Sequence, residues 1–117
     1  MTPFDWRFSE VTRDGQAYVL ATVVDPDSAV FAGHFPGRPV VPGVCLVDLV
    51  DRAARVAGVA SGPPAVVDRA RFTDVTLPGD RLVVRLTADD DTVDATVRAG
   101  DRVRCRVRLR YGAVPWT

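Results

Sequence analysis

Two residue types that can perform acid–base chemistry stand close together in one part of the sequence. His34, the only histidine, lies in a loop rich in glycine and proline, AGHFPGRPVVP, over 32–42, and Asp48 follows fourteen positions later on a predicted helix. An imidazole with an ordinary pKa of about 6.5 suits a general base at neutral pH. A carboxyl with an ordinary pKa of about 3.9 is ionised at neutral pH and serves as an acid only if burial raises that pKa.

Both residues also have structural explanations. A lone histidine is more often a structural or surface residue than a catalytic one. Asp48 shares its helix face with Asp51, Arg52 and Arg55 at spacings i, i+3, i+4 and i+7, and an acid followed by Arg at i+4 is a favourable pair. Burial would raise the pKa of Asp48 and an ion pair with Arg52 would lower it, and the sequence leaves the balance open.

The elements that must position this pair are short strands and one helix. Strand patterns at 6–12 and 16–24 flank the turn signal Asp14-Gly15. The predicted helix, Gly43 to Ala57, is apolar over most of its circumference and should be mostly buried. Four more strand patterns follow: Ala65–Phe72, Arg81–Ala88, Thr92–Arg98 and Arg102–Arg110. This order predicts an α+β fold in which an antiparallel sheet wraps one helix, within a single domain over 1–117.

The composition excludes several classes of protein. Fifteen basic and fifteen acidic residues cancel, so no net field favours nucleic acid or a membrane surface. Residues 1–10 lack the apolar stretch of a signal peptide, and no apolar run reaches the roughly 20 residues of a membrane helix. We therefore expect a cytoplasmic protein, with Cys45 and Cys105 as buried free thiols. A chain of 117 residues has a modest core, which favours an oligomer.

The segment FAGHFPGRPVVPGVCLVDLVDRA, residues 31–53, resembles the active-site segment of the 3-hydroxyacyl-[acyl carrier protein] dehydratases, a family of hot-dog proteins. The stretch RARFTDVTLPGDRL, residues 69–82, resembles the strand and turn that follow in that family. The resemblance implies a hot-dog fold and the loss of water from a 3-hydroxyacyl thioester in fatty-acid or polyketide-type biosynthesis. It implies that the substrate arrives on the phosphopantetheine of an acyl carrier protein, without a metal or a cofactor bound to the enzyme. It also implies a homodimer, or an assembly of dimers, in which the histidine and the acid face each other across the interface.

The same resemblance assigns roles to individual residues. His34 matches the catalytic histidine and Asp48 the catalytic acid. Gly43 matches the glycine whose N–H holds the thioester carbonyl, a role that suits the unpaired N–H groups at a helix start. Val40 matches the residue whose backbone carbonyl orients the histidine, and Phe35 of the GHFP motif is assigned to substrate binding.

The sequence departs from the family pattern at Arg52, where most relatives carry Gln. We also expect no counterpart of the segment that precedes the first strand in the usual members. A cation beside Asp48 would oppose its protonation. We therefore predict that Arg52 points away from Asp48, toward Asp51, solvent or the phosphate of the phosphopantetheine arm, and we assign it to substrate binding. The arginine stripe of the last strand, at alternate positions from Arg102 to Arg110, should form the solvent face of the sheet and pair with acids such as Asp94. The same stripe and Arg38 are candidates for contact with the carrier protein.

Two other functions stay open. One is a hot-dog acyl thioesterase in which an ionised Asp48 activates water. The other is a non-catalytic hot-dog subunit that binds an acyl chain or supports an active partner.

Overall fold

A computed structural model describes residues 4–33, 37–63 and 66–112. Within them the chain forms six strands and two helices. The elements are β1 (Thr12–Asp14), β2 (Ala17–Val23), α1 (Val30–Gly33), α2 (Gly43–Val56), β3 (Val66–Phe72), β4 (Arg81–Asp89), β5 (Thr92–Ala99) and β6 (Arg102–Arg110). The strands form one sheet in the order β1-β2-β4-β5-β6-β3, and all neighbours are antiparallel. The predicted α+β architecture is therefore confirmed.

The core lies between α2 and one face of the sheet. Strand β6 shows the division of the two faces, because Cys105, Val107 and Leu109 are buried while Arg106 and Arg108 between them are exposed. Six apolar side chains of α2 complete the core: Cys45, Leu46, Leu49, Val50, Ala53 and Ala54. The polar residues of α2, among them Asp48, lie on its remaining face.

The N-terminal segment differs from the predicted strand 6–12, since β1 begins only at Thr12. Residues before it still run beside β2, but side chains replace part of the backbone ladder. The N–H of Ala21 donates to the Ser9 hydroxyl (2.9 Å), and the Thr22 hydroxyl donates to the carbonyl of Arg7 (2.7 Å). These hydroxyl contacts hold the segment against the sheet without regular strand pairing.

The short helix α1 was not predicted, because its last residues fall in the loop assigned to 32–42.

Strand β3 forms one edge of the sheet and pairs only with β6 among the described strands. All of its residues are exposed. Its last residue, Phe72, reaches the start of α2, so the edge strand and the helix N-terminus lie side by side.

No helix in the described ranges is long and apolar enough to cross a membrane.

Candidate active site

The start of α2 is shaped by Pro42 and Gly43. Pro42 is the N-cap residue in an extended conformation, and no side chain caps the helix. The first N–H groups of a helix have no partner within it, so the Gly43 N–H is left for another acceptor. A Cβ at position 43 would lie 2.9 Å from Cζ of Phe72. Glycine is therefore needed here for the close approach of β3.

The loop before α2 is anchored to the turn between β3 and β4. The N–H of Val41 donates to the carbonyl of Thr76 at 2.8 Å, which fixes the backbone beside the half-buried Val40. His34 and Phe35 lie outside the described residues. The predicted contact of His34 with the Val40 carbonyl and the role of Phe35 in substrate binding therefore stay predictions.

Asp48 lies on the polar face of α2, with 26% of its side chain exposed, and Nε of Arg52 is 3.4 Å from its Oδ2. The prediction that Arg52 points away from Asp48 is wrong. The reason is that Asp51 is already occupied. Arg55 Nε contacts Asp51 Oδ2 at 3.1 Å, and the Tyr111 hydroxyl donates to Asp51 Oδ1 at 2.7 Å. Arg52 is left with the other carboxylate of its face.

Burial dominates the electrostatics of Asp48. Its pKa is raised above the ordinary value, chiefly by desolvation and also by the negative charge of Asp51. The charge of Arg52 lowers this pKa, as do hydrogen-bonding contacts from Arg52 and from the Trp6 indole, but together they do not cancel the effect of burial. Burial and the nearby Asp48 also raise the pKa of the Cys45 thiol, which favours the inert thiol form. Asp48 therefore holds a proton more readily than a solvated carboxyl, as a general acid requires.

Trp6 is a residue of this site that the sequence reasoning placed only in a strand. It is 6% exposed and lines a surface groove of about 440 Å³. The other lining residues are Phe8, Asp48, Asp51, Arg52, Arg55 and Val56. The alternation of Phe4, Trp6 and Phe8 was the available signal, since residues two apart share one face of an extended segment. It could not show which side of α2 that face would meet.

A second feature lies on the outer face of the sheet, away from α2. Strand register places Arg71 beside Arg106 and Arg69 beside Arg108, and with Arg85 these side chains line a depression of about 330 Å³. Asp94 pairs with Arg108 at 2.8 Å, as predicted for the arginine stripe. Arg85 pairs with Asp14. The other three arginines of this arginine face form no ion pair with any residue in the described ranges.

Known proteins resemble this chain in both sequence and fold. The sequence matches the family model of ApeI-like proteins, described as ApeI dehydratase, over residues 10–106. It is 30% identical over 110 residues to the 3-hydroxyacyl-[acyl-carrier-protein] dehydratase FabZ of Lactiplantibacillus plantarum, covering 83% of this chain and 74% of that protein. The FabZ of Legionella pneumophila strain Corby is 34% identical over 98 residues, covering 71% of this chain and 65% of that protein.

Among solved structures, a chain of the dehydratase heterocomplex ApeI:P from Xenorhabdus doucetiae superposes with a TM-score of 0.79 at 19% identity, covering 92% of this chain and 97% of that one. This likeness confirms the predicted hot-dog fold. The family model spans most of the sequence, including the loop before α2 and the helix that carries Asp48. The chain therefore belongs to the ApeI-like dehydratase family.

Proposed function

We propose that this chain is a 3-hydroxyacyl-[acyl carrier protein] dehydratase, a hydro-lyase of fatty-acid or polyketide-type biosynthesis. The observation that carries the proposal is the environment of Asp48. A partly buried carboxyl with a raised pKa stands about one and a half turns from a helix start whose first N–H group has no capping side chain. Membership of a dehydratase family supports the same chemistry.

The reaction needs a base, an acid and a donor to the thioester oxygen. In the proposed mechanism His34 removes a proton from C2 while the Gly43 N–H donates a hydrogen bond to the thioester oxygen, on which negative charge develops. The C3–O bond then breaks, a double bond forms between C2 and C3, and Asp48 gives its proton to the departing hydroxyl. The products are an enoyl thioester and water. A positioned acid or base contributes about 10²–10⁴-fold to such a rate, and one donor to a developing oxyanion about 10²–10³-fold.

The ion pair between Asp48 and Arg52 favours one alternative. An ionised carboxylate would activate water and release a free acid, which is the thioesterase reaction. The raised pKa of Asp48 argues for the dehydratase, because Arg52 only offsets part of the effect of burial. A non-catalytic acyl-binding subunit is the remaining alternative, and the same experiment separates all three.

The exposed apolar surface supports a homodimer. Among the described strands, β3 lies at one edge of the sheet, and such edges are templates for pairing with another chain. Val44 at the start of α2 is 73% exposed. Large apolar side chains are also exposed on β3 and in the segment that follows it, namely Val66, Val67, Phe72, Val75 and Leu77. Pairing of two such edges would cover these side chains and bring the two helix starts together, so that each site could combine His34 of one subunit with Asp48 of the other.

The acyl carrier protein is the proposed partner, with the thioester substrate attached to it. The arginine face offers three guanidinium groups without an acidic partner among the described residues, and guanidinium groups bind carboxylates in bidentate geometry. Arg38, exposed in the loop before α2, is closer to the proposed site along the chain.

Metal-free catalysis without a bound cofactor, and a cytoplasmic location, stay predictions.

The decisive experiment incubates the protein with a 3-hydroxyacyl carrier protein and, separately, with the matching enoyl carrier protein, and follows the acyl mass. Loss of water from the first or gain of water by the second supports the dehydratase. Release of free acid would establish the thioesterase instead, and no change with either substrate would support the binding subunit. The shared site is tested by mixing inactive His34→Ala and Asp48→Ala proteins. Recovery of activity after subunit exchange supports a composite site.

A further inference from the structure

Three polar atoms, one of the proposed acid and two of its neighbours, are buried without a well-formed hydrogen bond to any described residue. They are Nε1 of Trp6, Oδ2 of Asp48 and Nε of Arg52. Buried polar atoms in folded proteins almost always have partners, because an unpaired one has lost its hydrogen bonds to water without replacement. Two of these atoms are donors and the third is an acceptor. The three side chains line the same groove, so each donor is a natural partner for the same carboxylate oxygen.

Trp6 is held firmly in this position. The ring of Phe4 stacks on the indole with centroids 4.7 Å apart, and Phe31 of α1 meets Phe4 edge-on at 5.6 Å. Both Phe4 and Trp6 are buried in the core cluster. The indole therefore cannot turn its N–H to water without breaking this stack, and the N–H stays on the side of α2 that carries Asp48.

We infer that Trp6 is a positioning residue for Asp48: its indole N–H and Nε of Arg52 together hold Oδ2, so that Oδ1 is the oxygen that faces the substrate. The inference rests on the proposed function, because it assigns the orientation of the acid of that reaction. Hydrogen bonds of catalytic groups are often long or misaligned before the substrate binds and tighten in the complex. The loose contact of 3.4 Å between Arg52 and Asp48 is of this kind.

The two donors act differently on the acid. Arg52 brings a full positive charge, which favours the ionised carboxylate. The indole is a neutral donor, so it can fix the orientation of the carboxyl with a smaller bias toward ionisation. Burial opposes both and keeps the pKa of Asp48 raised. Removing the indole N–H should therefore loosen the carboxyl and raise its pKa further.

The test replaces the N–H while keeping the ring. Trp6→Phe removes it with some loss of volume, and benzothienylalanine at position 6, in a Trp116→Phe background, removes it with the shape of the indole preserved. One neutral hydrogen bond contributes about 0.5–1.5 kcal/mol, so we expect kcat to fall about 2- to 12-fold with little change in KM. We also expect the loss of activity at high pH to move to higher pH.

Phe4→Leu is the control, because it weakens the ring stack without removing a donor. A purely structural role for Trp6 would lower the unfolding temperature in all variants and leave the pH profile in place. The ¹³C signal of the Asp48 carboxyl provides a readout that does not depend on turnover. If Asp48 titrates at the same pH in the parent and in the benzothienylalanine protein, the inference is overturned. A shifted titration in a protein that neither adds nor removes water would support the contact between Trp6 and Asp48 and refute the proposed dehydratase.

Discussion

Replacing Arg52 by Gln tests whether burial or the ion pair controls the proposed acid. The pair is loose, with Nε of Arg52 3.4 Å from Oδ2 of Asp48 and with 39% and 26% of the two side chains exposed. Pairs with this degree of exposure contribute about 0.2–1 kcal/mol. That energy corresponds to a change of about 1.4- to 5-fold in the ratio of ionised to protonated carboxyl. Arg52→Gln should therefore shift the balance toward the protonated acid by no more than this factor.

The assay is the pH dependence of kcat for dehydration. Because Asp48 must be protonated to act, activity falls as the pH rises through its pKa, and loss of the cation moves this fall to higher pH. Below it, turnover should be nearly unchanged; above it, the variant should be up to about fivefold faster. Salt should move the parent profile in the same direction by screening the pair, whereas the Arg52→Gln profile should respond less. Arg52→Lys, which keeps the charge, is the matched control.

Two results would refute this reasoning. If the pH profile does not move, Arg52 does not influence the working acid. If Arg52→Gln accelerates dehydration far more than fivefold, the ion pair and not burial sets the protonation of Asp48. The native protein would then be a poor dehydratase, and the thioesterase or binding-subunit functions would be the ones to pursue.

Three further predictions concern the proposed dimer interface, the hydrogen bond between Tyr111 and Asp51, and the pH dependence of stability. Val44→Asp should convert a dimer to a monomer in light scattering, while Val23→Asp, at another exposed valine on β2, should not; an unchanged dimer would place the interface elsewhere. Tyr111→Phe removes the 2.7 Å hydrogen bond to Asp51 and should lower the free energy of unfolding in urea by about 1–2 kcal/mol, and a change within error would show that the bond is not stabilising. The Asp48→Asn protein should gain stability relative to the parent as the pH rises from about 4 to neutral. The reason is that a carboxyl with a raised pKa in the folded state makes the parent protein less stable as the pH rises over that range. A stability difference between the two proteins that does not change with pH would contradict the raised pKa.

Much of the fold could be predicted because local pattern and burial agree. The alternation of Arg106 and Arg108 with buried neighbours marks the two faces of β6, and Gly15 with φ of 62° marks the hairpin turn between β1 and β2. The N-terminal segment could not be predicted in the same way. Its pattern is that of a strand, but the hydroxyl groups of Ser9 and Thr22 replace part of the backbone hydrogen bonds to β2. Hydroxyl contacts of this kind leave no periodic pattern in the sequence. The position of Trp6 beside Asp48 depends on how this segment crosses α2, which is a tertiary property.

The polar face of α2 shows why local pattern could not assign its acids. Asp48 and Asp51 each precede an arginine by four positions, and each forms an ion pair with that arginine, although Arg52 was predicted to point away from Asp48. The difference comes from elements distant in the sequence. Asp51 accepts a hydrogen bond from the hydroxyl of Tyr111, which directly follows β6, and Arg55 also donates to the carbonyl of Gly62. The Asp51–Arg55 pair therefore ties the helix to the sheet and to the following turn. Asp48 has no such anchor in the described residues, only a loose cation and the Trp6 indole in a partly buried groove. Enzymes separate acid from base by giving two carboxyls different surroundings, and here the different surroundings tie Asp51 to the sheet and make Asp48 the better candidate for the acid of the proposed reaction.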